Sequence, residues 1–135
     1  MAREKKVIDA SVLAKCFLKE SDSEKALLLI KDHVEKRLVL IVPELVFFEV
    51  LNAVRYQLKL SADELAEAAR ALIQFQLHVE LVSDAYVAKI SSIGAIHDLT
   101  VYDAAYVALG ELYGVEVISA DKKVVKTGLS CVKEF

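Results

Sequence analysis

What this sequence lacks narrows it first. Tryptophan is absent, proline occurs once and glycine four times. So few breakers in 135 residues imply short loops between helices and strands. With no tryptophan and no run of aromatic residues, the chain carries no obvious pattern for stacking bases. Cysteine occurs only at Cys16 and Cys131, each within an apolar stretch. They form no CxxC pair, which argues against zinc, and two buried thiols are expected. A disulfide between them stays open. His33, His78 and His97 are scattered, with no HExxH and no close pair, so core or surface roles are expected. A glycine-rich phosphate loop is missing, which disfavours nucleotide binding of that kind. No apolar run is long enough to span a membrane. The richest, LVLIVPELVFFEVLNAV, is broken by Pro43, Glu44, Glu49 and Asn52. The charged start runs directly into VIDA, which points away from a secretory leader and toward a cytoplasmic location.

What is present is apolar and weakly acidic. Apolar residues make up 56% and the formal net charge is −3. The first figure suits a sheet buried on both faces, an oligomer interface, or both. The second excludes a broadly basic, DNA-coating surface but leaves room for a local basic patch.

Strands and helices alternate along the chain. KKVIDA reads as a short strand, about Lys6 to Asp9, and SVLAKCFLKE as a helix capped near Ser11. SDSEKALLLIKDHVEKR opens with a capping box, Ser21 with Glu24. RLVLIV is a strand ended by Pro43, and PELVFFEVLNAVRYQLK a helix with Pro43 in its first turn. SADELAEAARALIQF is a helix capped by Ser61 with Glu64, followed by the strand LHVELV. SDAYVAKISSIGAIH and TVYDAAYVALGELYG are helices, the second closed by Gly114. VEVISA is a strand, DKKVVKTG a short helical turn and SCVKEF a last strand. The expectation is a single α/β domain over residues 1–135, with a mainly parallel sheet and helices on both faces. Right-handed crossovers then bring every strand's C-terminal end to one edge, where ligands of such sheets bind.

Four of the twenty acidic residues stand out by context. Asp9 ends the first strand and Asp121 follows VEVISA, so parallel strands put both at one edge. Glu49 is surrounded by apolar residues in LVFFEVLNAV, with Asn52 one turn on. Asp103 lies in the apolar helix VYDAAYVALG, with Tyr106 one turn later. Each has a plainer explanation. Asp9 can serve a turn or cap before Ser11, Asp121 can cap DKKVVK, and Asp103 can complete a capping box opened by Thr100. Mid-helix Glu49 fits such explanations least. Taken together, carboxylates gathered in an apolar cleft repel one another, so some must be protonated or a cation must sit among them. Hard oxygen donors without His or Cys suit Mg²⁺ or Mn²⁺, and hence metal-dependent phosphoester chemistry.

VIDASV, FFEVLNAV, LTVYDAAYVALG and VISADKKVVK, in that order, resemble the PIN-domain family, and most closely its compact VapC-like members, the ribonuclease toxins of toxin–antitoxin pairs. The likeness covers nearly the whole chain. It implies a PIN-like α/β/α sandwich around a central, mainly parallel sheet. It carries the family's acids onto Asp9, Glu49, Asp103 and Asp121, as catalytic residues and metal ligands. Supporting polar positions fall on Ser11, Asn52, Thr100 and Ser119. The resemblance implies a Mg²⁺- or Mn²⁺-dependent endoribonuclease, usually a homodimer, with a small antitoxin covering the cleft. Lys15, Lys19, Arg55, Lys122 and Lys123 flank the acids and are candidate contacts to RNA phosphates.

Other acid-led folds fit less well. A haloacid-dehalogenase-like phosphatase wants a second Asp where Ser11 stands, and a receiver domain wants adjacent early acids. The competing reading of another class is a catalytically silent PIN-like module that binds RNA or a protein.

Overall fold

Val7 and Ile8 lie at the centre of the sheet, both wholly buried. Removing one such side chain from water stabilises the fold by roughly 1.5–3 kcal/mol. The computed structural model describes residues 3–135, so residues 1 and 2 of the expected domain lie outside it. The described chain runs β1 (Glu4–Ile8), α1 (Ala10–Leu13), a 3₁₀ turn (Ala14–Cys16), α2 (Ser23–Val34), β2 (Leu38–Pro43), α3 (Leu45–Leu58) and α4 (Ala62–Gln74). It continues through β3 (His78–Glu80), α5 (Asp84–His97), α6 (Val101–Tyr113), β4 (Glu116–Ser119), α7 (Lys122–Val125) and β5 (Val132–Glu134).

The strands form one sheet in the order β3-β2-β1-β4-β5, and every pairing is parallel. From β1 the chain first moves outward through β2 and β3, then returns to the other side of β1 to lay down β4 and β5. The order therefore reverses between β1 and β4. Right-handed crossovers put α1 to α4 on one face and α5 and α6 on the other, giving the α/β/α sandwich. Helix α6 is buried without interruption from Ala104 to Gly110. Its small residues allow this: a Cβ on Gly110 would collide with Val117 of β4.

Three local expectations change. The first helix is not capped at Ser11. It starts at Ala10, with Asp9 in the cap position, and tightens into the 3₁₀ turn after one turn. The box of Ser21 with Glu24 does not form, and α2 starts at Ser23. The Ser23 hydroxyl donates to the Leu18 carbonyl at 2.7 Å and accepts from the Glu20 amide, and α2 starts one residue later, with Asp22 in the cap position. Pro43 closes β2 instead of opening α3, whose cap position is Glu44. Its fixed φ suits extended backbone as well as a helical first turn. By contrast, the Ser61–Glu64 box is complete in both directions.

Both cysteines are free thiols and only partly buried, with burial pushing Cys16 up to about 11. His33 is held by backbone: its Nδ1 accepts from the Leu40 amide at 3.0 Å and its Nε2 lies 2.9 Å from the Gln76 carbonyl oxygen. Among the described residues no helix is long and apolar enough to cross a membrane.

Candidate active site

Strand β1 delivers Asp9 to the sheet's C-terminal edge, at the reversal in strand order. That is where ligands of open parallel sheets bind. Only 4% of Asp9 is exposed. It holds the N-cap position of α1, yet its carboxylate makes no capping bond. Its Oδ2 instead accepts from the Ser119 hydroxyl at 2.6 Å and the Ser11 hydroxyl at 3.0 Å. These hydroxyls are held in turn by the loop after β4. Ser119 Oγ accepts from the Asp121 amide and Ser11 Oγ from the Ala120 amide, both at 3.0 Å. The Oδ1 atom of Asp9 has no hydrogen bond among the described residues, and it is not sealed from solvent.

The other three acids arrive on helices. Asp121 caps α7, its Oδ1 accepting from the Lys123 amide at 2.8 Å. Asp103 lies in the first turn of α6, where its amide bonds to Thr100 Oγ1 at 3.1 Å. The helix N-terminus favours its negative charge. Asp121 thus caps its helix as expected, whereas only the Thr100 half of the Asp103 box forms, and both acids keep carboxylate oxygen uncommitted. Glu49, half-buried in mid α3, accepts from the Tyr106 hydroxyl at 2.6 Å through Oε1. Tyr106 sits three residues after Asp103, so one face of α6 carries both groups.

The four acids interact electrostatically. Burial raises the Asp9 carboxyl above its ordinary value, Ser119 and Ser11 oppose that, and the charges of Asp103 and Asp121 add to it. Glu49 is raised by burial, eased by Tyr106, and raised further by Asp9, Asp103 and Asp121. Asp103 is raised by burial and by Asp121, while Thr100 and Lys123 pull it back. Among the described residues no Lys, Arg or His forms an ion pair with any of the four. Nor do three His, Cys, Asp or Glu side chains already close around a point as a finished ligand set. The donors nevertheless fit Mg²⁺ or Mn²⁺. They are hard carboxylate oxygens, Asp9 Oδ1 is open, and Mg²⁺ characteristically keeps several waters beside one or two carboxylates.

The remaining sequence candidates divide. Ser11 and Ser119 contact Asp9, and Thr100 contacts Asp103 through its amide. Asn52 is exposed, with no hydrogen bond to the acids, and lines an open cavity of about 510 Å³ that Glu49 and Arg55 also line. Lys15 is turned to Glu20 at 2.7 Å and Asp22 at 3.2 Å. Arg55 is exposed, its guanidinium 5.2 Å from the Tyr56 ring centre. Lys19, Lys122 and Lys123 are exposed, and Lys123 is near enough to Asp103 to act on it. The Tyr106–Glu49 bond was not read from the sequence. Its signal is Tyr106, three residues after Asp103, the one phenol in the otherwise small and aliphatic run AAYVALG of α6.

The chain is similar to known proteins along most of its length. The PIN domain family model matches residues 6–128. Ribonuclease VapC3 of Pyrobaculum aerophilum is 31% identical over 126 residues, covering 90% of this chain and 93% of that protein. The VapC20 toxin of Mycobacterium tuberculosis, described as cleaving the sarcin-ricin loop, superposes with a TM-score of 0.69 at 18% identity, covering 95% of this chain and 98% of the toxin. A toxin–antitoxin complex from Klebsiella pneumoniae superposes with a TM-score of 0.70 at 16% identity, covering 94% of each chain. With the family model matching residues 6–128 and the fold in agreement, this chain belongs to the PIN-domain family.

Proposed function

We propose that the chain is a divalent-metal-dependent endoribonuclease and the toxin of a VapBC-type toxin–antitoxin pair. The observation that carries the reading is the electrostatics of Asp9. Four mutually repelling carboxylates surround one strand end, and among the described residues no Lys, Arg or His is paired to them. The 31% identity to a ribonuclease VapC over most of both chains supports the same reading.

In this proposal Asp9 Oδ1, Asp103 and Asp121 hold one or two Mg²⁺ or Mn²⁺ ions, with Glu49 as a further ligand or the group that orients water. The bound ion supplies charge neutralisation at the phosphate and a more acidic water. Ser11 and Ser119 fix Asp9 so that Oδ1, not Oδ2, faces the ligand. Tyr106 fixes Glu49 so that Oε2 is free to take a proton from the attacking water. Attack in line on phosphorus leaves 5′-phosphate and 3′-hydroxyl ends. Lys123, Lys122, Lys19 and Arg55 contact the RNA backbone. The reading extends to a homodimer and to a small antitoxin whose terminal segment covers the acids. Leu81 and Val82, exposed beyond the edge strand β3, offer apolar surface to the second copy. The test is incubation of single-stranded RNA with the purified chain and Mn²⁺. Cleavage by wild type that is lost in Asp9→Asn supports the proposal. RNA that is bound but never cut by wild type instead favours the silent binding module.

A further inference from the structure

The four acids explain where a phosphodiester would be cut, and the surface beside them carries a different chemistry. Phe48 is 72% exposed and Tyr102 59% exposed. Each immediately precedes an acid of the cluster, Glu49 and Asp103. Successive helical residues point about 100° apart, so each aromatic stands beside its acid. The two come from different helices, α3 and α6, yet line the same open cavity of about 510 Å³, to which Glu49 also contributes. Asn52 and Arg55, each a further turn along α3, supply its other polar wall, and Leu65 of α4 an apolar one.

Flat aromatic faces, one guanidinium and one primary amide around an open cavity match one kind of occupant. A nucleobase stacks on aromatic rings, its edge pairs with an amide that both donates and accepts, and its phosphate meets the cation. Leu45, Leu51 and Leu65 floor the cavity beside the two rings, and Glu49, Asn52 and Arg55 gather along one side of it, an apolar slot with one polar edge that suits a flat base. We propose that the cavity is a base pocket. It takes one unpaired nucleobase of the RNA, from a nucleotide adjoining the scissile phosphate, stacked on Phe48 and Tyr102 with Asn52 at its hydrogen-bonding edge. The proposal rests on the ribonuclease reading and narrows the substrate to single-stranded or looped RNA, since a paired base cannot swing into such a pocket.

The absence of tryptophan makes the test direct, because Tyr102→Trp introduces the only indole. The full-length Tyr102→Trp chain is titrated, in EDTA, with a short single-stranded RNA and with the same RNA carrying abasic sugars. The expected result is quenching by the base-bearing RNA alone. Adding Phe48→Ala should weaken RNA binding roughly tenfold or more, the loss typical of one stacked base. The exposed position of Phe48 predicts an unchanged melting temperature. Equal quenching by abasic RNA overturns the pocket. So does unchanged RNA affinity in the Phe48→Ala variant, which would mark the face as a protein docking surface. Failure of the ribonuclease reading looks different. RNA that quenches through its bases yet stays intact in Mn²⁺ supports the pocket and removes the nuclease.

Discussion

The Ser119 hydroxyl donates to Asp9 Oδ2 across 2.6 Å, joining the ends of adjacent strands whose residues lie 110 positions apart. This bond holds one carboxylate oxygen and leaves the other free. Ser119→Ala should therefore lower Mn²⁺ affinity by about 10- to 100-fold, the usual effect of removing a group that orients a ligand. It also strands the Asp121 amide, at roughly 1–3 kcal/mol of stability. Calorimetric titration with Mn²⁺ measures the first effect. Unchanged affinity would mean that Ser119 matters only for the fold.

Tyr106→Phe should separate position from packing. The ring stays in its buried place and only the bond to Glu49 Oε1 is lost. RNA cleavage should fall at least tenfold, while stability changes by no more than about 1.5 kcal/mol. Full cleavage by the variant would show that Glu49 needs no fixed orientation.

The pH dependence of stability has a definite sign. In the unfolded chain Asp9 ionises near its ordinary 3.8, and in the folded protein at a higher pH, chiefly because of burial. Between those values the folded state keeps a proton that the unfolded state has released. Stability from this group therefore falls as pH rises through that interval, and the loss is complete above the folded value. Asp9→Asn removes the penalty. The melting temperature of the metal-free variant should gain on wild type as pH rises from about 4 toward neutrality. Mn²⁺ should then stabilise wild type more than the variant. A variant–wild-type difference that is flat with pH would contradict a costly Asp9 charge.

Legibility from sequence followed the range of the forces involved. Strand polarity alone placed Asp9 and Asp121 on one edge, because parallel strands share direction whatever their order. The order itself, with β1 between β2 and β4, was not readable, since no local pattern encodes which strands become neighbours. Capping boxes show the same limit. Ser61 with Glu64 and Ser21 with Glu24 have the same spacing, and only the first forms. At the second, Ser23 is tied to Leu18 and Lys15 to Glu20 and Asp22, contacts that the spacing does not encode. Tyr106 and Glu49 are 57 positions apart, and their meeting depends on how α6 crosses the sheet.

Gly110 gives a stability prediction independent of the acids. Alanine there would gain helix propensity of about 1 kcal/mol. Its Cβ, however, would run into Val117 and approach the Val115 carbonyl oxygen at 3.1 Å. Gly110→Ala should destabilise by about 1–3 kcal/mol through overpacking, read as a lower melting temperature. A raised melting temperature would show that α6 and β4 have room to separate.

The proposed activity requires the four acids at the β1–β4 reversal to hold a divalent ion and cut RNA with it. Its most direct measurement is cleavage of single-stranded RNA by full-length wild type, Asp9→Asn and Asp103→Asn, each in Mn²⁺ and in EDTA, with product ends mapped. Wild type should give 5′-phosphate products in Mn²⁺ and none in EDTA. Either variant should lose at least about a hundredfold in cleavage, with the fold intact by circular dichroism. Cleavage that persists in EDTA, or equal cleavage by wild type and both variants, would contradict this requirement.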